Sequence, residues 1–229
     1  MRRIAIIPAR GGSKRIPKKN IVDFCGKPMI AWTIEAAFRT NLFDQVLVST
    51  DSQEIAQVAR ACGAEVPFLR KENCDDFVPV SDATISALRQ AEDYWKNEFE
   101  VVVQLMANCP LRNESHILDA MSAFEDCDAE YQISCFRFGW MNPWWAVTLD
   151  DHSSPQRLFP EAMVTRSQDL PPLFCPTGAI WIADCKSLIN AGTFYGPKHR
   201  FHPISWRAAI DIDDYEDLRM ARALAAISD

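Results

Sequence analysis

Two short stretches of the sequence combine residue types that suit chemistry on phosphates. The first, PARGGSKRIPKKN at residues 8–20, places two adjacent glycines among lysines and arginines. Glycine lets backbone N–H groups approach an anion closely, lysine neutralises its charge, and the arginine fork fits phosphate oxygens. The stretch follows an apolar run, and ligands of open parallel sheets lie at the carboxyl ends of strands. It therefore predicts a phosphate-binding loop, with a solvated basic turn as the alternative.

The second stretch is AIDIDDYED at residues 209–217. Alternation along a predicted strand puts Asp211 and Asp213 on one side, where two carboxylates repel each other unless a cation lies between them. The pair therefore predicts a Mg²⁺ site, since Mg²⁺ prefers oxygen ligands. The alternative is a helix N-terminus, with Asp213 or Asp214 as the cap and acidic residues in the first turn. The two interpretations are compatible, and together with the basic loop they indicate a nucleoside-triphosphate site.

The charge distribution makes the basic loop a local feature. The chain carries 31 acidic and 24 basic residues, a formal net charge of −7. Residues 1–22 nevertheless hold seven lysines or arginines and no acid. An acidic chain of this kind is unsuited to a general nucleic-acid or anionic-membrane surface, so neither partner is expected.

The cysteines and the apolar runs bear on the compartment. The eight cysteines form no CxxC pair, so no zinc or redox framework is expected and reduced thiols in a cytoplasmic protein are the simplest interpretation. No apolar run reaches 18 residues, and the opening one is too short for a signal segment, so no membrane span is expected.

The elements that must position these residues alternate along the chain. Continuous apolar runs predict strands, and apolar residues at helical spacing predict the helices between them. The predicted strands are 2–8, 44–51, 100–105, 178–183 and 207–213, and the predicted helices are 29–40, 53–63, 80–97, 113–126 and 214–226. This order predicts an α/β fold with three layers, a mostly parallel sheet covered by helices on both faces. The aromatic, proline-rich region at about 130–175 predicts an inserted hairpin or lobe within a single domain, 1–229.

Several motifs, in order and spanning almost the whole chain, resemble one enzyme family. They are IPARGGSKRIPKKNI, GKPMIAWTIEAA, VSTDSQEIAQVA, ANCPLR, RSQDLPP with TGAIWI, and IDIDDYED. They resemble the cytidylyltransferases that activate nonulosonic acids, the CMP-sialic acid synthetase group. Within it, MNPWWA and QLMANCPLR are more similar to the pseudaminic acid branch than to the sialate enzymes.

The resemblance implies a Rossmann-like nucleotidyltransferase sheet whose inserted lobe forms a homodimer. It implies transfer of CMP from CTP to a nonulosonic acid with release of pyrophosphate, and Mg²⁺ as cofactor with Mn²⁺ as a substitute. The implied catalytic residues are Lys19, Arg10, Asp211 and Asp213, the last two also as metal ligands. The implied nucleotide-binding residues are Arg10, Gly12, Ser13, Lys14, Asn20, Arg70, Ser81 and Asp82. The implied sugar-binding residues are Met106, Asn108, Arg166 and Gln168.

The chain departs from the sialate pattern in the expected sugar pocket. Met106 stands in place of a glutamine, Cys109 in place of a serine, and Ser167 in place of an arginine. These departures favour a nonulosonate other than sialic acid. The resemblance of MNPWWA and QLMANCPLR implies pseudaminic acid. Sialic, legionaminic and 3-deoxy-manno-octulosonic acid remain alternatives, as does a non-catalytic nucleotide-binding module.

Overall fold

A computed structural model describes residues 1–72 and 78–227. Ten strands occur in these ranges: β1 Arg3–Pro8, β2 Asp23–Phe24, β3 Lys27–Pro28, β4 Gln45–Ser49, β5 Val101–Gln104, β6 Tyr131–Arg137, β7 Val147–Leu149, β8 Pro155–Arg157, β9 Phe174–Asp184 and β10 Arg200–Pro203. Six of them form one sheet in the order β10-β6-β9-β5-β1-β4. β9 runs antiparallel to both its neighbours, and the other pairings are parallel. The predicted mostly parallel sheet is confirmed.

Six α-helices occur in the described ranges, and the first five cover the two faces of this sheet. They are α1 Met29–Arg39, α2 Gln53–Ala61, α3 Val80–Trp95, α4 Glu114–Glu125, α5 Cys185–Ala191 and α6 Tyr215–Ala225. One apolar core joins α1, α2 and α4 to residues such as Ile7 and Val103, and another joins α3 and α5 to Ile6 and Val102. Neighbouring strand residues point to opposite faces, so an uninterrupted apolar run fills both cores. The three-layer α/β prediction is therefore confirmed.

A third apolar cluster links the two chemically suggestive stretches. Ile16 from the basic loop packs with Ile210 and Ile212, and with Leu218 of α6. Ile16 and Ile212 are completely or almost completely buried. Burial of Ile16, Ile210 and Ile212 brings the basic loop and the acidic segment together at the end of the sheet.

The predicted strand at 207–213 is not formed. The backbone N–H groups of Ala209 and Ile210 donate to Ser205 and Arg207 within turns, and the N–H of Ile212 donates to the carbonyl of Asn108 at 2.9 Å. These hydrogen bonds replace a ladder to a neighbouring strand. The alternation survives without the strand, because Ile210 and Ile212 are buried while Asp211 and Asp213 face a cavity.

The region predicted as an inserted lobe contains one strand of the main sheet and a separate hairpin. β6 pairs with β9 and β10, whereas β7 and β8 pair only with each other. The predicted hairpin is therefore present between β6 and β9. Large apolar side chains exposed there are Trp140, Met141, Trp145, Val147, Leu149, Leu158, Phe159 and Val164.

Four elements outside this region were not predicted: the short strands β2 and β3, the short helix α5 and the edge strand β10. The seven described cysteines are free thiols, and Cys74 lies outside the described residues. Within residues 1–72 and 78–227, every helix is too short or too polar to cross a bilayer.

Candidate active site

A polar cavity of about 240 Å³ lies at the carboxyl edge of the sheet, where β1 ends at Pro8 and β5 leads into Met106. It gathers basic, acidic and amide side chains from stretches far apart in sequence. Its lining residues are Pro8, Arg10, Ser13, Lys19, Asn20, Arg70, Val78, Val80, Ala83, Met106, Asn108, Asp211 and Asp213. Nine of the predicted site residues therefore meet in one cavity.

Local contacts hold the basic loop against the sheet edge. The Asn20 amide donates to the carbonyl of Arg10 at 3.0 Å, which closes the loop, and the N–H of Gly11 donates to an Asp51 carboxylate oxygen at 2.7 Å. A Cβ atom at Gly11 would lie 3.0 Å from the Cβ of Ser52, closer than ordinary contacts allow. With Ile16 buried beneath it, the loop is an ordered wall of the cavity and not a solvated turn.

The carboxylate of Asp213 is held by two cations of this loop. Lys19 Nζ donates to Asp213 Oδ1 at 2.8 Å, and Arg15 donates to Oδ2 at 2.6 Å. Partial burial acts to raise the pKa of Asp213, but the hydrogen bonds and charges of Lys19 and Arg15 outweigh it and leave that pKa lowered. Asp213 is therefore ionised at neutral pH and is unsuited to accepting a proton.

Asp211 experiences the opposite balance. Asn108 donates its amide to Asp211 Oδ1 and also, at 3.2 Å, to the carbonyl of Ile212. The cavity walls around the carboxylate, and secondarily the charge of Asp213, raise the pKa of Asp211 to about 6, although Lys19 acts to lower it. Two adjacent carboxylates with this repulsion form a pair that a divalent cation would stabilise.

Asp214 and Asp217 cap the helix α6, which is the role that the sequence analysis gave as the alternative to metal binding. The Asp214 side chain accepts from the backbone of Glu216 and Asp217, and Asp217 accepts in return from the N–H of Asp214 at 3.0 Å. This reciprocal arrangement is a capping box at the start of α6. Capping therefore belongs to Asp214, and Asp211 and Asp213 remain directed into the cavity.

The donor set fits Mg²⁺ bound together with a triphosphate. Asp211 and Asp213 supply hard oxygen ligands, and Mg²⁺ in phosphate sites is commonly held by one or two carboxylates, with phosphate oxygens and water completing its shell. Among residues 1–72 and 78–227 no group of three or more histidine, cysteine or acidic side chains is arranged for a metal. Asp211 and Asp213 would hold such a cation together with the phosphate oxygens of a bound nucleotide.

Six of the predicted residues do not line this cavity. Gly12 and Lys14 lie exposed on the loop. Ser81 is buried and accepts the N–H of Phe194 at 3.5 Å, while Asp82 lines a separate cavity beside Arg89. Their neighbours on α3, Val80 and Ala83, line the candidate site instead.

The other two, Arg166 and Gln168, lie between β8 and β9. Arg166 is exposed and pairs with Asp169 at 2.7 Å. Gln168 lines another cavity, with Arg137 and Asn142. Their assignment to sugar binding stays a prediction.

Sequence reasoning missed one contact of the basic loop. Arg15 is exposed, yet its guanidinium reaches Asp213, and only its place in the same loop could have suggested this contact. Lys18, in the same loop, is also exposed and pairs with Glu54 on α2 at 2.8 Å.

Fold and cavity together define the class. A three-layer α/β sheet with a basic loop after its first strand and paired carboxylates at its carboxyl edge is the arrangement of a nucleotidyltransferase. The family model described as "Cytidylyltransferase" matches residues 4–138. The chain belongs to the cytidylyltransferase family.

Relatives of known assignment match along the whole chain. The pseudaminic acid cytidylyltransferase of Campylobacter jejuni is 31% identical over 228 residues, covering all of this chain and 98% of the relative. The CMP-N,N'-diacetyllegionaminic acid synthase of Legionella pneumophila is 32% identical over 234 residues, covering 100% and 98%. The N-acylneuraminate cytidylyltransferase of Streptococcus agalactiae is 32% identical over 95% of this chain, but 52% of its own length.

A solved structure supports the fold independently. A CMP:2-keto-3-deoxy-manno-octonic acid synthetase complexed with CTP superimposes with a TM-score of 0.72, covering 99% of both chains at 19% identity. At this identity the likeness is one of fold.

Proposed function

We propose that this protein transfers CMP from CTP to the anomeric hydroxyl of a nonulosonic acid and releases pyrophosphate. The observation that carries the proposal is the meeting of Arg10, Lys19, Asp211 and Asp213 in one cavity at the carboxyl edge of the sheet of a cytidylyltransferase. Phosphoryl transfer depends mainly on positioning and on stabilising negative charge, and this cavity offers cations and hard oxygen ligands for both.

In the proposed reaction the sugar oxygen bonds to the α-phosphorus while the bond from that phosphorus to the pyrophosphate oxygen breaks. The hydroxyl proton is released to water, and pyrophosphate carries away the electron pair of the broken bond. Lys19, largely shielded from solvent, and Arg10 would stabilise the charge that develops on the phosphates. When bound at Asp211 and Asp213, Mg²⁺ would neutralise phosphate charge and polarise the phosphoryl oxygens. Asn108 holds Asp211, and Lys19 and Arg15 hold Asp213, at the wall of the cavity.

For the sugar, we propose pseudaminic acid. The full-length similarity to the Campylobacter jejuni enzyme supports this choice, as does the apolar Met106 in the cavity wall, which stands in place of the glutamine of the sialate pattern. The legionaminic relative is equally similar in percentage identity, so legionaminic acid is the second candidate.

We also propose a homodimer in the cytoplasm. The exposed tryptophans Trp140 and Trp145 in the inserted region support the dimer, because exposed aromatic clusters favour protein contacts. Free thiols at the seven described cysteines support a reducing compartment.

The deciding experiment measures pyrophosphate release with CTP and Mg²⁺ against pseudaminic, legionaminic, sialic and 3-deoxy-manno-octulosonic acids. We expect the highest kcat/KM with pseudaminic acid. Higher kcat/KM with another sugar would reassign the substrate, and CTP binding without turnover on all four would favour a non-catalytic nucleotide-binding module.

A further inference from the structure

Arg112 is a buried arginine directly behind the candidate active site. Only 1% of it is exposed, and it is among the largest fully buried residues described. Its Nη2 donates to Thr33 Oγ1 at 2.7 Å and to the carbonyl of Met106 at 3.4 Å. Thr33 Oγ1 in turn donates to the same carbonyl at 3.3 Å. Arg112 and Thr33 of α1 therefore both hydrogen-bond to the main chain of Met106, whose side chain lines the cavity.

A short series of contacts connects these hydrogen bonds to the predicted metal ligand Asp211. Two residues beyond Met106, the carbonyl of Asn108 accepts the N–H of Ile212, and the Asn108 amide donates to Asp211. The side chain of Met106 also lies close against Gly178, where a Cβ would come within 2.9 Å of Met106 Cγ. The segment 106–108 is thus tied to Arg112 on one side and to Asp211 on the other.

Packing alone does not account for an arginine at this position. Nε and Nη1 of Arg112 are buried without a hydrogen-bond partner, and no carboxylate of the described residues forms an ion pair with it. Burial lowers the pKa of Arg112 to about 10, so the guanidinium remains charged at neutral pH. An apolar side chain of similar size would avoid the cost of burying this charge.

We infer that Arg112 is a positioning residue for the proposed transfer reaction. From behind the cavity it sets the direction of the Met106 carbonyl, and through segment 106–108 it sets the place of Asp211. Its charge, separated from the cavity by protein of low dielectric constant, also favours the anionic substrates there. This inference rests on the proposed function, and its test includes a measurement that does not.

Three variants separate positioning from packing. Arg112→Met keeps the length of the side chain and removes the charge and both hydrogen bonds. Arg112→Lys keeps the charge on a single donor nitrogen. One nitrogen suffices because Nη2 of Arg112 makes both hydrogen bonds. Arg3→Met is the control, since Arg3 also has a buried unpartnered Nε but pairs with Glu125 at the start of β1, the opposite edge of the sheet.

In steady-state kinetics we expect Arg112→Met to lower kcat at least tenfold with less than a threefold change in KM for CTP, and without a lower melting temperature. Arg112→Lys should recover most of kcat, and Arg3→Met should keep it. A wild-type kcat in Arg112→Met, or equal losses in the Met and Lys variants, would overturn the inference.

Amide hydrogen exchange tests the same inference without turnover. We expect Arg112→Met to accelerate exchange in residues 105–109 and at the N–H of Ile212, and to leave α2 unchanged. If no sugar supports turnover in the wild type, the proposed function fails, and unchanged exchange at Ile212 would separately overturn the positioning role. If Arg112→Met does not fold, Thr33→Val, which removes the hydroxyl that both Arg112 and Met106 contact, takes its place with the same expectations.

Discussion

Lys19 Nζ lies 2.8 Å from Asp213 Oδ1, although 194 positions separate the two residues in the sequence. The pair joins the basic loop after β1 to the acidic segment before α6, across the mouth of the candidate active site. Lys19 is mostly shielded, with 15% of its side chain exposed, whereas 42% of the Asp213 side chain is exposed. Because Asp213 also accepts a hydrogen bond from Arg15, it can keep a cationic partner while Lys19 turns towards a bound triphosphate.

Replacement of Lys19 by alanine should reduce turnover more than binding. A charge-assisted contact to phosphate contributes roughly 1.5–3 kcal/mol, about ten- to a hundredfold in rate. We expect that loss in kcat, with a smaller change in KM for CTP, if Lys19 serves the charge that develops during transfer. Arg10→Ala should mainly raise KM for CTP. Steady-state kinetics at varied CTP measures both.

Lys18→Ala is the matched control for these variants. Lys18 lies in the same loop but is exposed and pairs with Glu54, and such surface pairs contribute about 0–1 kcal/mol. We expect nearly unchanged kinetics. A loss equal to that in Lys19→Ala would mean that the loop acts as a diffuse basic patch.

The two cavity aspartates should affect stability in opposite directions when metal is chelated. The pKa of Asp211 is raised above its ordinary value because the folded state disfavours the ionised carboxylate. The free energy of unfolding therefore falls as pH rises from the ordinary pKa to about 6, and it stays lowered above that. Asp211→Asn should therefore raise the free energy of unfolding relative to the wild type, and the gain should grow from about pH 4 to about pH 6. Since Asp211 is open to the water of the cavity, we expect a gain of about 1 kcal/mol or less.

Asp213→Asn should instead lower stability at neutral pH. The pKa of Asp213 is lowered, so its contribution is present above the ordinary pKa and is lost as pH falls through the lowered one. Urea unfolding in EDTA across pH 4–8 checks both variants. Effects of the same sign at pH 7 would contradict the electrostatic description of the pair.

The two loop glycines should differ in their tolerance of a side chain. A Cβ at Gly11 would lie 3.0 Å from Ser52 Cβ, whereas a Cβ at Gly12 would meet nothing within 4 Å. We expect Gly11→Ala to lower the melting temperature by a few degrees and Gly12→Ala to leave it nearly unchanged. Thermal unfolding of the two variants is the measurement, and equal melting temperatures would show that the loop yields at Gly11.

Removal of divalent metal should abolish the proposed turnover. With two carboxylates of the described residues facing the cavity, metal affinity should depend on the bound nucleotide, and dialysis against EDTA should remove the metal readily. Pyrophosphate release should stop and return with Mg²⁺, and also with Mn²⁺. Full activity after chelation would exclude Asp211 and Asp213 as metal ligands.

The sequence by itself determined the layers of the fold and the two ends of the site. Apolar runs and helical spacing depend on local periodicity, so β1, β4, β5 and the helices α1 to α4 were predicted near their observed bounds. The helix α6 and its cap were readable for the same reason, because capping involves residues three positions apart. The loop around Lys19 was recognisable because a basic stretch is unusual in an acidic chain. The pair Asp211 and Asp213 was recognisable by its alternate spacing, which puts both carboxylates on one side.

Only the tertiary structure decided which of these residues meet and which backbone carries them. The strand predicted around Asp211 failed because its hydrogen bonds go to turns and to Asn108, partners that local alternation does not reveal. Ser81 and Asp82 were expected beside the nucleotide, yet the rotation of α3 turns Val80 and Ala83 to the cavity. The ion pairs of Asp213 and the burial of Arg112 likewise depend on contacts between distant segments. Such contacts are set by how three apolar clusters pack together, which no local pattern in the sequence specifies.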